Sequence, residues 1–210
     1  MAQRDPTAPP RRRDGAATRE RLMRAALELF TTQGYHASTT PVIAAKAGIA
    51  EGTIYRHFPS KQQLLNDVYR SAVGLFTRLL RDAPKDVPCR ARLEKVAAAW
   101  RDLAVREPAV VRLVFVARVR NLLDQKSRDG WSELRSELET VLATGKAAGH
   151  VRSGPVDLLA DIWLQLVALM LERIANKDWA PEHAAPAQVV ESAWLVMKAE
   201  GTGDERRGTS

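Results

Sequence analysis

Residues 39–61 read TTPVIAAKAGIAEGTIYRHFPSK, and this stretch decides the fold. Ser38-Thr39-Thr40-Pro41 is a helix start. Proline suits the first helical position, where a backbone N–H has no partner in any case, so Thr40 is the expected N-cap. Gly48 closes this short helix in the left-handed conformation that glycine adopts without strain. A second short helix runs through Glu51-Gly52-Thr53-Ile54-Tyr55-Arg56-His57, and Pro59 breaks the chain behind it. Ile43, Ala44, Ala47, Ile49, Ile54 and Phe58 can close a small core between the two, with Ala44 and Ala47 small enough for close approach. Two short helices joined by a tight glycine turn and preceded by a longer helix make a helix-turn-helix unit.

The flanks agree. Upstream, Leu22, Ala25, Ala26, Leu29 and Phe30 recur at helical spacing until Gly34 stops them. Downstream, Ser60 with Gln63 three residues on predicts a capping box opening a long helix. Proline and glycine positions then predict helices over 61–82, 89–106, 108–123, 130–148, 155–176 and 185–200, the last ended by Gly201. No segment has strand periodicity. The fold class is all-α: an N-terminal three-helix DNA-reading domain over 16–62, then a helical bundle over 63–200. A disordered basic arm (1–15) and a polar tail (201–210) are expected at the ends.

Charge points the same way. The formal net charge is +7 over 210 residues. Residues 1–62 hold ten Lys and Arg against five Asp and Glu, so most of the excess sits in the first third, as on a domain that meets a polyanion. Cys89 is the only cysteine, which rules out an intrachain disulfide and favours a reduced, cytoplasmic setting. The most apolar helical segment, 156–171, is interrupted by Asp157, Asp161 and Gln165, against a membrane span. His36, His150 and His183 are scattered without metal-ligand spacing, and no nucleophile triad, phosphate loop or metalloprotease motif occurs. The expectation is therefore no enzyme, no catalytic residues, no cofactor and no metal.

The ordered motif from Thr39 to Lys61 resembles the signature of the TetR (tetracycline-repressor-like) family, with similarity over about residues 16–65. The resemblance implies a homodimeric transcriptional repressor that leaves a near-palindromic operator when a small hydrophobic molecule binds. By position it implies that Thr40, Tyr55, His57 and Lys61 hold phosphates and that Gly52 and Thr53 lie nearest the bases; Glu51 and Arg56 on the outer face of the second helix, and Thr39 at the start of the first, complete the DNA-binding candidates. Two positions depart from relatives. Pro41 stands where some place a base-reading side chain, so specificity is expected in residues 51–56. Ala50 replaces a common serine cap, which predicts a recognition helix ordered mainly on DNA. Arg11, Arg12 and Arg13 are read equally as a minor-groove arm or as solvated disorder.

For the second domain the resemblance implies a ligand pocket, with Phe76, Trp100, Leu103, Phe115, Arg118, Trp131 and Trp163 as candidate lining; most such residues in a helical bundle are simply core. Arg118 is read either as snorkelling or as an anion-binding group. Apolar stripes through Leu158, Ile162, Leu166 and Leu169, then Val190, Trp194 and Met197, supply the expected four-helix dimer interface. Two other functions stay open: a ligand-independent architectural DNA-binding protein, and a small-molecule-binding protein that reuses the fold.

Overall fold

The computed structural model describes residues 12–180 and 182–199. The expected 201–210 tail and Arg11 lie outside the described residues. Among those described, the structure is helical apart from one isolated backbone bridge, between Val151 and Lys198. The chain divides into two units, Met1–Val68 and Tyr69–Ser210, with the boundary inside a long helix.

The first unit contains α1 (Arg12–Thr32), α2 (Thr40–Lys46), α3 (Glu51–His57) and the first turns of α4 (Lys61–Asp82). Helix α1 begins within the segment expected as a disordered arm, so residues 12–15 are helical. Leu22, Ala26, Phe30, Ile43, Ala44, Ile54, Phe58, Leu64 and Leu65 are buried together as the core of this unit. Ile49 is only half-buried. Gly48 has φ +64° and carries the turn between α2 and α3. Arg21 pins that turn from α1, donating to the carbonyls of Ala47 at 2.5 Å and Gly48 at 3.1 Å.

Two local expectations are corrected here, the N-cap of α2 and the capping box of α4. The N-cap of α2 is Thr39, with φ −86° and ψ 157°, while Thr40 is already helical and sends its hydroxyl to Tyr55. Helix α3 has Ala50 at its N-cap with no side-chain cap bond, and Ile54 and Phe58 are buried. Ser60 Oγ accepts from the Gln63 backbone N–H at 3.0 Å, half of the capping box. The Gln63 amide turns instead to Asp67, at 2.8 Å.

The second unit is a bundle around α8 (Val156–Ala175), which packs against α5 (Cys89–Arg106), α7 (Gln125–Ala147) and α9 (Ala184–Met197). Between α5 and α7 the predicted helix over 108–123 is broken. A single turn, α6 (Pro108–Val111), runs into a π-type turn (Arg112–Val116), and the backbone turns extended at Ala117, with ψ 131°. The run is rich in β-branched Val110, Val111, Val114 and Val116, which resist helix. Arg112 spends its guanidinium on the Ala175 carbonyl, at 2.7 Å. Helix α7 starts five residues before the predicted 130, because Asp124 caps it by accepting from the Ser127 N–H at 2.8 Å. Helix α9 stops at Met197 rather than at Gly201. Lys198 and Ala199 leave the helix to pair with residues 150–152, through Arg152 N–H to Met197 O (2.8 Å) and Ala199 N–H to His150 O (3.0 Å).

Cys89 is buried against Gly145 of α7. A β-carbon on Gly145 would lie 2.6 Å from Cys89 Sγ, so only glycine lets α5 and α7 close here. Burial pushes the thiol pKa up to about 11, against the opposing pull of Arg92. In the unfolded chain the thiol ionises near its ordinary value of 9.0, before the folded one does. Its contribution is therefore full below pH 9 and is lost as pH rises toward about 11. Burial also raises Tyr35 and Tyr69, which add a loss in the same direction. The stability difference between wild type and Cys89→Ala, followed by denaturant titration across that interval, should shrink from the wild-type side as the pH increases.

Candidate nucleic-acid interface

The exposed side of α3 is built by what its buried side excludes. Ile54 faces the core at 1% exposure, which leaves Glu51, Gly52, Tyr55 and Arg56 outside and Thr53 and His57 at the margin. Nothing lies within 4 Å of a β-carbon placed on Gly52, so its glycine is not required by internal packing. Tyr55 is 53% exposed, so its ring does not pack into the core as a buried aromatic would. Its hydroxyl lies 2.9 Å from Thr40 Oγ1, a bond that ties the first turn of α2 to the middle of α3. Two residues assigned to phosphate contact are thereby set side by side, and both oxygens keep acceptor or donor capacity for a further partner.

Lys61 begins α4. Its ammonium donates to the Tyr35 carbonyl at 2.9 Å and lies 4.2 Å from the centre of the Tyr35 ring. That fixes the cation while leaving N–H groups for a phosphate. Arg19 acts within the fold: it pairs with Asp67 and stacks over Phe58 at 5.0 Å, holding α4 to the helix-turn-helix. Lys46 is paired with Glu28 at 2.5 Å. Thr39 is exposed at the N-terminus of α2. Sequence reasoning missed Arg21 and Val42. Arg21 has no signal in one sequence, since its partners are backbone carbonyls. Val42, 43% exposed, stands out of phase with the buried Ile43, Ala44 and Ala47, and that phase was readable.

In the second unit the aromatic candidates do converge. Phe76 meets Trp100 at 5.2 Å and Phe115 at 5.1 Å; Trp100 meets Trp163 at 5.4 Å; Phe115 meets Trp131 at 5.9 Å. Phe76, Trp100, Leu103 and Trp163 are buried, whereas Phe115 and Trp131 are half-buried at the edge of the cluster. Arg118 is not with them. It is exposed, because the helix expected to carry it ends at Ala117. Arg120 instead lies over Trp131, at 5.3 Å. An open groove of about 680 Å³ lies between α4 and α7; its wall is largely charged, with Arg70, Arg78, Arg81, Lys126, Asp129 and Glu133, and none of the candidate aromatics lines it.

Of the dimer candidates, Leu158 is 52% and Leu169 41% exposed, with Ile162, Leu166, Val190 and Trp194 partly covered. Met197 is fully buried and belongs to the core, since the last turn of α9 rolls it inward where the chain pairs with residues 150–152. Leu195 and Val196, at 50% and 40% exposure, take its place on the outer face. No helix of the described residues is long and apolar enough to cross a membrane. Among the described residues no group of three or more His, Cys, Asp or Glu could hold a metal ion.

Residues 22–68 match the model of the bacterial regulatory proteins of the tetR family. The chain is 26% identical to the fatty acid metabolism regulator protein of Bacillus subtilis over 63% of its own length and 70% of that protein. It is also 26% identical to the nucleoid occlusion factor SlmA of Photorhabdus laumondii, over 87% of this chain and 93% of the other. Its fold superposes on a TetR family transcription regulator from Marinobacter aquaeolei with a TM-score of 0.77 at 16% identity, covering 90% and 99% of the two chains. A ketosteroid transcriptional regulator of Mycobacterium tuberculosis superposes with a TM-score of 0.69 at 21% identity, covering 87% and 95%. Residues 22–68 are thus similar in sequence to the bacterial regulatory proteins of the tetR family, and the chain shares the fold of solved regulators of that type.

Proposed function

We propose that this regulator is a repressor: a homodimer that occupies a near-palindromic operator through α3 and releases it when a small hydrophobic molecule binds the second unit. The observation that carries the DNA half is the brace from Thr40 to Tyr55 beside the open Gly52. It offers paired hydroxyls for phosphate and a backbone close enough for base edges. Thr39, Thr40, Tyr55, His57 and Lys61 are the proposed phosphate contacts; Glu51, Gly52, Thr53 and Arg56 lie over the bases. The convergence of Phe76, Trp100, Phe115, Trp131 and Trp163 supports the effector half. Trp131 and Phe115, at the cluster edge, are the proposed first contacts of the effector. The effector must favour the state that does not bind DNA, because equal affinity for both states shifts nothing.

Footprinting across the promoters adjoining its gene tests the reading. A protected near-palindrome, with affinity falling steeply as salt rises, is the expected result. No DNA retardation together with tight small-molecule binding would instead favour a binding protein that reuses the fold. The similarity to a nucleoid occlusion factor favours a second reading, a DNA-binding protein without effector control. Unchanged operator affinity across a broad panel of hydrophobic molecules would select it. The cytoplasm is the proposed location, as DNA binding requires access to the chromosome.

The dimer is proposed to form through Leu158, Ile162, Leu166 and Leu169 of α8 with Val190, Trp194 and Leu195 of α9. Leu158 and Leu169 lie on one stripe of α8, and two such helix pairs make a four-helix interface. Leu158→Glu/Leu169→Glu should sediment as a folded monomer, with operator affinity reduced by about 100-fold or more as the second half-site is lost. A dimeric double variant would move the interface elsewhere.

A further inference from the structure

Helices α4 and α7 are bridged at two levels. At one, Arg70 donates to Asp124 at 3.1 Å and to Ser127 Oγ at 3.0 Å. At the other, Arg81 donates to Glu133 and Glu137, at 2.7 Å each. Arg70 and Arg81 stand ~16 Å apart along α4. The open groove lies between these bridges, and each helix lines it with a glycine, Gly74 on α4 and Gly130 on α7. Neither glycine has positive φ, and nothing lies within 4 Å of a β-carbon placed on either. Neither backbone conformation nor packing within the chain therefore calls for glycine, although glycine is among the least favourable residues inside a helix. What the two glycines do is keep the groove open.

The groove has a definite chemistry. Val73 and Thr77 of its wall are buried, and the Thr77 hydroxyl already donates to the Val73 carbonyl at 3.2 Å. Of the carboxylates, Glu133 is paired with Arg81, and Asp129 accepts from the Gln125 amide at 2.7 Å. Asp82 stands at the end of α4, beyond Arg81. Arg78 on α4 and Lys126 on α7 have no hydrogen-bond or ion-pair partner among the described residues. Solvated cations are ordinary on a surface. Here two of them stand on opposite walls of a gap that two unfavourable glycines hold open. We propose that this groove binds a small organic anion, its carboxylate or phosphate taken by Arg78 and Lys126 and its apolar part laid along Val73, Gly74, Thr77 and Gly130.

Calorimetric titration of the full chain with hexanoate, hexyl phosphate and hexanol tests this. One of the two anions should bind at least about tenfold more tightly than the alcohol, which has the same chain without the charge. The tighter of the two identifies the group as carboxylate or phosphate. Arg78→Ala and Lys126→Ala should each weaken that anion by about tenfold, and added salt should weaken it in the wild type. Gly74→Leu and Gly130→Leu should abolish binding. Both should keep the helical circular dichroism and melt no lower than wild type, because the new side chains start in open space. Hexanol binding as tightly as the anions would overturn the proposal. So would anion binding undiminished in both leucine variants, which would place it elsewhere, or no binding of either anion at millimolar concentration. A leucine variant that is monomeric where the wild type is dimeric would show that the gap takes a second copy of the chain instead. No DNA enters these measurements, so their failure leaves the operator reading untouched.

Discussion

Gly52→Leu is expected to make the protein more stable and to stop it binding its operator. A glycine inside a helix costs roughly 1 kcal/mol relative to a good helix former. Nothing within 4 Å would obstruct a β-carbon at this position, so the fold can accept the side chain. Leucine should therefore hold α3 more firmly and raise the melting temperature by about 2–4 °C. The same side chain would stand on the face meant for base edges and keep the backbone from approaching. Operator affinity should fall by about 100-fold or more, which is roughly 2.7 kcal/mol. Thermal melting and DNA retardation on one preparation check both halves. A stabilised variant with wild-type affinity would show that α3 does not face the bases. Gly52→Ala, with its smaller side chain, should stabilise similarly and lose less affinity.

The second large effect lies in the other unit. Trp100 is fully buried. Its ring contacts Phe76 at 5.2 Å and Trp163 at 5.4 Å, and its indole N–H donates to the Phe76 carbonyl at 3.2 Å. Trp100→Ala removes the centre of the cluster and leaves a hole that neighbouring rings cannot fill. The expected cost is roughly 3–5 kcal/mol. For a chain of this size that corresponds to a melting temperature lower by about 10 °C. Loss of near-ultraviolet aromatic dichroism should accompany it, because the remaining rings lose their fixed neighbours. Trp100→Phe should recover part of this, as it restores most of the ring but not the N–H. A cost under about 1 kcal/mol would mean that Trp100 borders solvent or effector rather than core. The comparison with Trp131→Ala is informative. Trp131 is half-buried at the cluster edge, so its loss should act more on effector affinity than on stability.

The Trp100 result bears on how far an effector site can be read from sequence. Apolar spacing places Phe76, Trp100, Phe115, Trp131 and Trp163 on helices, and they do meet in space. Spacing cannot say which of them face one another and which border open volume. Arg118 shows the limit most clearly. Its assignment depends on a helix continuing to 123, and that helix ends at Ala117 once Arg112 reaches across to α8. A bond to a residue 63 positions away leaves no trace in local periodicity. Met197 departs from expectation for a related reason. The stripe on α9 predicts a straight helix to Gly201, while pairing of residues 198 and 199 with residues 150–152 ends the helix early.

The helix-turn-helix is legible in the chain alone. Gly48, Pro59 and the run of small and branched apolar residues act through backbone conformation and neighbours a few positions away, and such effects are written locally. The helical class, the extents of α4 and α5, and the exposed side chains of α3 are legible in the same way. How those side chains are disposed is a matter of packing. Tyr55 is readable as a residue of the second motif helix, but its bond to Thr40, which braces α2 on α3, joins helices packed through Ile43, Ile54 and Phe58 in the core. The physical reason is common to these cases: local propensity selects the elements, while long-range packing and hydrogen bonds select the faces they present.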